Sequence, residues 1–527
     1  MMIGNHSSDF GSRMEPCFIV GLLGTLLISY CLFKAIYGLY FHPLHNIPGP
    51  WYAAVSRAPY IRNHINGEIT RYLQDLHTKY GEIVRYSPNE ISVISGETAW
   101  QDIYGFRTGA SKNSGSFEKD STWYPPGLDN VRSLTSAPGK AHGRQRRIIS
   151  HAFSTQALKE QEYIIQRYAD LLIERLREVA VITEDPLDLC KWYNWTTFDI
   201  IGHLIFGEPF GCLAAQATHE YVGMILNNIR GFRYHYVKCY WPWTKYLGSL
   251  FIDKGLLLRR LEFLHWVKDR THQRMESLTE RPDLMNSILA HKDAQGDKGG
   301  ISNPEIVANS STFLTAGTET TATTLSAVTY LLLKHPHLLE KVVAEIRDCF
   351  KSQKEITVEA VNNNLPYMVA CLTETLRYMP PVPAGFVRKV PGTGAHVSGY
   401  HIPGGCNASI SVTQHAAYRS PRNFKDPDSF IPERWLDGPA YAADKKTVFQ
   451  PFSFGPRNCI GKNLAYAEMR LIMAKVLFEF DLELDPKSAD WDKNMKVFLL
   501  WDKPELLVKL KPLQRMKVQE ALVTGGT

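Results

Sequence analysis

The chain lacks most features that would divide it into modules or commit it to a familiar binding role. No internal repeat, Ser/Gly-rich linker or long run of one charge interrupts its 527 residues, so one large domain is the simplest organisation. None of the nine cysteines forms a C-x-x-C pair, which argues against a zinc site and against a disulfide framework. The net charge of +6 is too small to indicate nucleic acid as a partner.

A nucleotide-binding signature is also missing. No G-x-G-x-x-G follows a strand-like run, and no flavin-binding motif is recognisable. Chemistry that needs electrons from a nicotinamide cofactor would therefore have to receive them through another protein.

What is present begins with an apolar N-terminal run. Residues 17–41 are uncharged except for Lys34, and about 20 residues suffice to span a bilayer core. A cleaved signal peptide is the alternative, but its apolar core would be shorter, and no convincing cleavage site follows. The excess of Lys and Arg after the run predicts a single-pass anchor with the bulk of the chain in the cytosol. Residues 1–16 would be a short luminal N-terminus, in which we do not expect Asn5 to be glycosylated.

The rest of the chain divides into three parts. Residues 42–50 contain three prolines and are predicted to form a stiff, non-helical strap. Residues 51–512 are interpreted as one large domain, and residues 513–527 as a C-terminal tail. Helices are predicted at 68–80, 140–152, 156–180, 192–206, 217–230, 254–278, 304–334 and 366–378. Strands are predicted at 83–85, 90–94 and within 385–412, so the fold is expected to be mostly α with a small β portion.

The most informative motif lies near the C-terminus, where the segment from Phe452 to Gly461 reads F-x-x-G-x-R-x-C-x-G. Gly455 permits a tight turn, and Gly461 permits close approach of a flat macrocycle. A following helix N-terminus and backbone N–H groups favour a thiolate at Cys459. Arg457 can pair with a carboxylate, and Phe452 can shield the sulfur from water. The alternative is a buried structural cysteine, but it requires five residue types to coincide by chance.

This segment resembles the haem-binding loop of the cytochrome P450 family, the haem-thiolate monooxygenases. The resemblance runs from about the membrane anchor to Pro512 and is strongest to fungal microsomal members that tailor secondary metabolites. It implies a P450-like fold behind a transmembrane helix. It also implies haem b (iron protoporphyrin IX) as cofactor, with Cys459 as the axial ligand of the iron and Arg457 at a haem propionate.

A second motif, A-G-T-E-T-T, lies in the middle of the long helix predicted at 304–334. Glycine and threonine are poor helix formers, so their use inside a helix suggests a function. Ala316 and Gly317 would leave room for oxygen above the iron. Thr320 would hydrogen-bond it, and Glu319 would relay protons from water. The alternative is a small-residue helix crossing with a threonine hydroxyl bonded to its own helix.

A third motif is an E-x-x-R pair. Glu374 and Arg377 lie three residues apart on one helix face. An exposed ion pair of little energetic value is the ordinary interpretation of such spacing. The resemblance instead implies a buried structural triad with Arg434, which fixes the fold around the haem loop.

Further positions match propionate-binding sites of the family. His142 and Arg146 occupy the places that usually read W-x-x-x-R, so His142 departs from the family's pattern. Arg388 matches another propionate-binding position.

The resemblance also implies the reaction and its partners. O2 would supply one oxygen atom to a lipophilic small molecule, by hydroxylation or epoxidation, and a polyketide, terpenoid or alkaloid is expected. Electrons would come from NADPH through a separate flavoprotein, NADPH–cytochrome P450 reductase. Arg144, Arg147 and Lys462 are candidates for its basic docking face, although a simply solvated face is an equal alternative. The implied location is the endoplasmic reticulum membrane, with the anchor in membrane lipid.

The family's pattern implies a substrate pocket drawn from 103–135, 225–245, 312–320, 382–387 and 497–501, and the pocket is expected to be apolar. Candidate lining side chains are Phe313, Val382, Phe386, Phe498 and Trp501.

Other functions stay open from the sequence. A haem-thiolate desaturase or ring-forming oxidase would use the same residues. An isomerase would rearrange a peroxide without O2 or a reductase, but such enzymes tend to lack the pair that Glu319 and Thr320 form. A non-enzymatic haem sensor would need neither a proton path nor a substrate channel.

Overall fold

The structure, a computed structural model, describes residues 11–107, 116–244, 254–277, 281–291 and 299–513. The helices in its N-terminal half are α1 (Gly11–Ile36), α2 (Trp51–Val55), α3 (Ala58–Asn66), α4 (Ile69–Tyr80), α5 (Ala99–Tyr104), α6 (Gly139–Ile149), α7 (Thr155–Ile182), α8 (Leu189–Phe206), α9 (Cys212–Ala215) and α10 (Glu220–Tyr240). Those that follow are α11 (Lys254–Glu276), α12 (Leu284–Leu289), α13 (Asn303–Lys334), α14 (Pro336–Cys349), α15 (Val358–Asn364), α16 (Pro366–Tyr378), α17 (Gln414–Tyr418) and α18 (Lys462–Glu479).

The strands are short and form small sheets. They are β1 (Ile83–Ser87), β2 (Glu90–Val93), β3 (Leu187–Asp188), β4 (Arg388–Lys389), β5 (Ala395–Val397), β6 (Tyr400–Ile402), β7 (Ser409–Val412), β8 (Phe480–Leu484), β9 (Lys496–Val497), β10 (Trp501–Asp502) and β11 (Leu507–Pro512). One sheet has the order β1-β2-β7-β4, with β2 and β7 parallel and the other pairs antiparallel. A second has the antiparallel order β3-β11-β8, and β5-β6 and β9-β10 are antiparallel pairs. The prediction of a mostly helical fold with a small β portion is confirmed.

Local signals set several helix ends where the sequence predicted them. Ser302 caps α13 in a capping box with Glu305, and a proline occupies the first turn. Gly207 ends α8 in the left-handed conformation, with φ of 78°. The helix predicted at 366–378 is α16 with the same bounds.

One helix end was predicted wrongly. The periodicity favoured a helix over 217–230, whereas α10 continues to Tyr240. Its additional turns carry Tyr236, which is fully buried and packs in a tilted arrangement against Trp123 at 4.3 Å and against His64 at 4.8 Å between ring centroids. Tertiary packing of this aromatic side chain stabilises helical turns that the pattern alone did not indicate.

The N-terminal helix continues into a π-helical turn, Tyr37–Phe41. The stretch Phe18–Phe41 has a mean hydropathy of 2.0, and its most apolar part is not buried against the protein, so it is long and apolar enough to cross a membrane. Most of the predicted luminal segment 1–16, including Asn5, lies outside the described residues, as does the tail beyond residue 513. The strap at 42–50 is non-helical, as predicted, but Leu44 within it is fully buried.

The core is built around α13. Helix α8 packs along it, α18 and α16 pack on other sides, and residues 321–332 of α13 are buried throughout. Ala316 and Thr320, one to two turns earlier, face a cavity instead. This placement turns the middle of α13 toward the loop that carries Cys459.

Candidate active site

The loop from Phe452 to Gly461 is held by its backbone. The Cys459 N–H donates to the Phe452 carbonyl at 2.8 Å, and the Asn458 N–H donates to the Gly455 carbonyl at 3.1 Å. Gly455 has φ of +73°, and a Cβ there would lie 1.9 Å from the Tyr104 carbonyl oxygen. Only glycine fits this position, for both reasons. Helix α18 begins directly after the loop, at Lys462, so the thiol lies close to a helix N-terminus.

A cavity of about 290 Å³ lies between this loop and α13. The sequence-predicted residues that line it are Phe452, Arg457, Cys459, Gly461, His142, Arg146, Arg388, Ala316, Gly317 and Thr320. Gly455 supports the loop from behind, and Glu319 points to the other side of its helix. The fold therefore brings four segments that are far apart in sequence, at 142–146, 316–320, 388 and 452–461, to one cavity.

The protein groups around Cys459, taken by themselves, favour the neutral thiol over the predicted thiolate. Burial raises the pKa of the Cys459 thiol, whereas the Gly461 N–H and the charges of Arg146 and Lys462 lower it by less. The expectation that the helix N-terminus keeps the sulfur deprotonated is thus outweighed by desolvation. A metal ion that binds this sulfur supplies the missing positive charge, since coordination deprotonates a thiol outright.

One end of the cavity is rich in cations. Arg146 donates to the Asn458 carbonyl at 2.6 Å and to its side-chain oxygen at 2.7 Å, and Arg457 donates to the Ala137 carbonyl at 2.9 Å. The buried Nη1 of Arg388 has no hydrogen-bond partner. Glu118 approaches Arg457 at 3.5 Å, but its side chain is half exposed. Such a cluster fits a ligand that carries carboxylates.

Lys119 belongs to this cluster and was missed by the sequence interpretation. It lines the cavity, and its Nζ donates to the Thr135 carbonyl at 2.5 Å. Burial, followed by the charges of Arg388 and Arg457, lowers its pKa well below the usual value. No motif marks Lys119, and its position inside the predicted pocket segment 103–135 was the available signal.

His142 lies among the same positively charged side chains. Burial lowers the pKa of His142 to about 3, with additional lowering by Arg457, Lys119, Arg146 and Arg388 in that order. The imidazole is therefore neutral and can donate one hydrogen bond to a carboxylate. A cavity-facing thiol, a cationic end with an unpartnered Arg388 nitrogen and an apolar remainder fit haem b.

The middle of α13 forms the opposite wall. The Thr320 hydroxyl donates to the Ala316 carbonyl at 2.7 Å, so its oxygen presents lone pairs to the cavity. A Cβ at Gly317 would lie 3.1 Å from the Ile201 side chain of α8. Gly317 therefore serves the helix crossing as well as the cavity, and α13 continues without a break through this region.

Glu319 has a partner that the sequence did not reveal. The Lys503 ammonium donates to the Glu319 carboxylate at 2.6 Å and to the Thr323 hydroxyl at 2.9 Å. Lys503 follows β10 and lies 184 residues from Glu319 in sequence. The acid next to Thr320 is held in a buried ion pair on the far side of α13.

The predicted triad is fully buried. Glu374 accepts two hydrogen bonds from Arg377, at 2.8 and 2.9 Å, and one from Arg434 at 3.2 Å. Arg434 also donates to Asp444 at 2.6 Å, and Trp435 donates to Glu374 at 2.8 Å. This network joins α16 to the segment that precedes the Cys459 loop, in a region away from the cavity, which agrees with a structural role.

Two groups of predicted residues lie elsewhere. Phe498 is buried beneath Arg233, and the Trp501 indole donates to the Pro380 carbonyl, so neither belongs to the described cavity wall. Arg144 binds the Glu305 carboxylate and is not a free member of a basic face. Phe313, Val382 and Phe386 do line the cavity, as predicted.

Comparison with known proteins gives a consistent result. Residues 48–510 match the family model described as Cytochrome P450. The chain is 48% identical to "Cytochrome P450 monooxygenase traB" of Penicillium crustosum, over 96% of this chain and 100% of that protein. It is 42% identical to "Cytochrome P450 monooxygenase lcsI" of Purpureocillium lilacinum, over 95% of each chain. It is also 40% identical to "Averantin hydroxylase" of Dothistroma septosporum, over 94% of this chain and 91% of that protein. The family match spans most of the chain and these relatives align over nearly their whole lengths, so this protein belongs to the cytochrome P450 family.

Proposed function

We propose that the protein is a haem-thiolate monooxygenase that inserts one oxygen atom from O2 into a lipophilic small molecule, as a tailoring step in fungal secondary-metabolite biosynthesis. The observation that carries the proposal is the cavity with the Cys459 thiol on one wall and Ala316 and Thr320 on the other. The names of the relatives, among them a hydroxylase, support the same reaction class.

The residues in place fit haem b. Cys459 would bind its iron, and Arg146, Arg388, Arg457 and Lys119 would hold its propionates, with the neutral His142 as an additional donor. When bound, haem supplies the activation of O2 for insertion into a C–H or C=C bond. The protein supplies position, protons and exclusion of water.

The proton path is assigned to neighbouring residues of α13. Because the Thr320 hydroxyl gives its own proton to the Ala316 carbonyl, its oxygen can accept a hydrogen bond inside the cavity. Glu319, adjacent in sequence, would pass protons from the Lys503 side of the helix toward this hydroxyl.

Apolar side chains complete the substrate side. Phe313, Val382 and Phe386 line the cavity, and Phe313 contacts Phe153 edge-on at 5.5 Å between ring centroids. Such walls favour a hydrophobic substrate and exclude bulk water from the reacting atoms.

Electrons would come from NADPH through a separate membrane-bound reductase. Arg147 of α6 and Lys462 at the start of α18 are both exposed. Arg147 follows Arg146, which contacts Asn458, and Lys462 lies three residues after Cys459. These positions support a basic docking face near the Cys459 loop. The apolar helix Phe18–Phe41 supports a single-pass anchor in the endoplasmic reticulum membrane, with the catalytic domain in the cytosol.

Comparative metabolite mass spectrometry tests the proposal, on cells that carry the gene, lack it, or carry Cys459→Ala. We expect the deletion and the variant to accumulate a compound that is one oxygen atom lighter than the lost product. An accumulated compound of equal mass would instead indicate an isomerase. One that is two hydrogen atoms heavier would indicate desaturation or ring closure.

A further inference from the structure

The junction between the apolar helix and the catalytic domain is packed rather than loose. Gly38 is the buried residue of the π-helical turn that follows α1. A Cβ at Gly38 would lie 2.5 Å from the Ala54 carbonyl oxygen of α2. The backbone of the anchor's last turn therefore lies directly against the backbone of the first domain helix, at a distance that only glycine allows.

A buried arginine closes this contact from the domain side. Arg85 of β1 is 3% exposed, and its Nη1 donates to the Gly38 carbonyl at 2.9 Å. Its Nε and Nη2 donate to the Pro88 carbonyl at 3.1 and 2.9 Å. Burial lowers the pKa of Arg85 to about 10, which still leaves the guanidinium charged at neutral pH. Hydrogen bonds from a charged, buried donor are stronger than hydrogen bonds between neutral groups.

The strap adds a second attachment beside the first. The His42 N–H donates to the Tyr37 carbonyl at 2.7 Å, and the His42 ring accepts from the Leu44 N–H at 3.1 Å. Leu44 is buried in the hydrophobic cluster that includes Ile83 of β1. The Arg85 N–H also donates to the Pro48 carbonyl at 2.7 Å. The start of the strap is thus buried in the cluster to which β1 contributes, and its end is hydrogen-bonded to β1 itself.

From these contacts we propose that Gly38 and Arg85 form a rigid joint that fixes the direction of α1 relative to the catalytic domain. The inference rests on the proposed membrane anchor. With the joint closed, the anchor and the domain tilt as one body, and the orientation of the domain on the lipid surface follows from the angle of α1.

The exposed aromatic residues around the joint match a lipid–water interface. Tyr40 and Phe41 are 68% and 70% exposed at the end of the helix, and Trp51 is 70% exposed at the start of α2. Tryptophan and tyrosine favour the interface of a bilayer. Because the joint holds these side chains in one rigid unit, a single depth and tilt of the protein would place all three at the lipid–water interface.

The joint can be tested by polarised absorption of the haem in the full-length holoprotein, in macroscopically oriented phosphatidylcholine bilayers. The test variant is Gly38→Ala, and the matched control is Gly24→Ala, since a Cβ at Gly24 meets nothing within 4 Å. We expect parent and control to show the same dichroic ratio. Gly38→Ala should move this ratio toward the unoriented value, because the domain then samples many tilts.

A second pair of variants approaches the joint from the domain. Arg85→Lys keeps the charge but cannot serve the Gly38 and Pro88 carbonyls together, and Arg62→Lys is the exposed control. Arg85→Lys should reproduce the Gly38→Ala change, with an unaltered haem spectrum as evidence of a folded domain. Unchanged dichroism in both Gly38→Ala and Arg85→Lys would overturn the joint while leaving the anchor intact. Failure of the parent protein to remain with the bilayer would overturn the anchor and the joint together.

Discussion

The Lys503 ammonium and the Glu319 carboxylate form an ion pair of 2.6 Å in which the two side chains are only 4% and 2% exposed. The pair links the middle of α13 to the chain segment between β10 and β11, and Thr323 shares the same ammonium at 2.9 Å. A buried ion pair contributes little net stability, yet breaking it leaves an uncompensated charge in the interior. Lys503 therefore fixes the direction of the acid beside Thr320.

We expect Lys503→Met to destabilise the holoprotein by about 3–5 kcal/mol, because it strands the Glu319 carboxylate. Glu319→Gln leaves Lys503 with the Thr323 hydroxyl and should cost less. In the double variant the two costs should not add, since the second change removes the charge that the first one strands. Chemical denaturation of the four proteins measures this coupling. Additive costs would mean that the two side chains do not interact in solution.

Much of the site was predictable because its chemistry depends on short motifs. The F-x-x-G-x-R-x-C-x-G loop placed Cys459, and the A-G-T-E-T-T run placed Thr320, on opposite walls of one cavity. Lys119 and Lys503 were not predictable in this way. Each reaches its partners through tertiary packing, and a single lysine in a loop carries no local signal of what it will meet.

The errors have a similar origin. Phe498 and Trp501 were expected in the pocket from the family's pattern, but apolar side chains pack in the core as readily as around a ligand. Helix α10 continued beyond its predicted end because Tyr236 is buried among aromatic rings from other elements. In each case a long-range contact outweighed the local pattern.

Gly455→Ala should prevent formation of the haem site. The added Cβ would meet the Tyr104 carbonyl at 1.9 Å, and φ of +73° is unfavourable for alanine. The loop would have to move, and Cys459 with it. Haem content and the reduced carbon monoxide difference spectrum measure the loss. Gly438→Ala is the control, because a Cβ at Gly438 meets nothing within 4 Å and should leave both readouts unchanged.

His77 is expected to make stability fall in mild acid. Its Nδ1 donates to the Gly81 carbonyl at 2.8 Å, so its Nε2 accepts from the Ser92 hydroxyl at 2.6 Å. Burial lowers the pKa of His77 to about 4 from an ordinary 6.5, although the bond to Gly81 acts in the opposite direction. The unfolded chain therefore binds a proton near pH 6.5 that the folded chain accepts only near pH 4.

Above pH 6.5 the neutral His77 leaves the free energy of unfolding undiminished. As the pH falls from 6.5 toward 4, His77 lowers the free energy of unfolding by about 1.4 kcal/mol per pH unit. In His77→Gln, the slope of unfolding free energy against pH should become shallower over this interval. The exposed His337→Gln is the control and should retain the parent slope. If His77→Gln keeps the parent slope as well, His77 does not remain neutral in the folded protein.

Thr320→Ala should separate oxygen consumption from product formation. The Thr320 oxygen is a hydroxyl acceptor that the middle of α13 presents to the cavity, because its proton is given to the Ala316 carbonyl. Without it, protons reach the site through unordered water, and NADPH oxidation continues while less product forms. Product formed per NADPH consumed, together with hydrogen peroxide release, measures this uncoupling. Thr320→Ser retains the hydroxyl and should keep most of the coupling. Equal coupling in the alanine variant and the parent would remove Thr320 from the proton path and leave Glu319 to act through water alone.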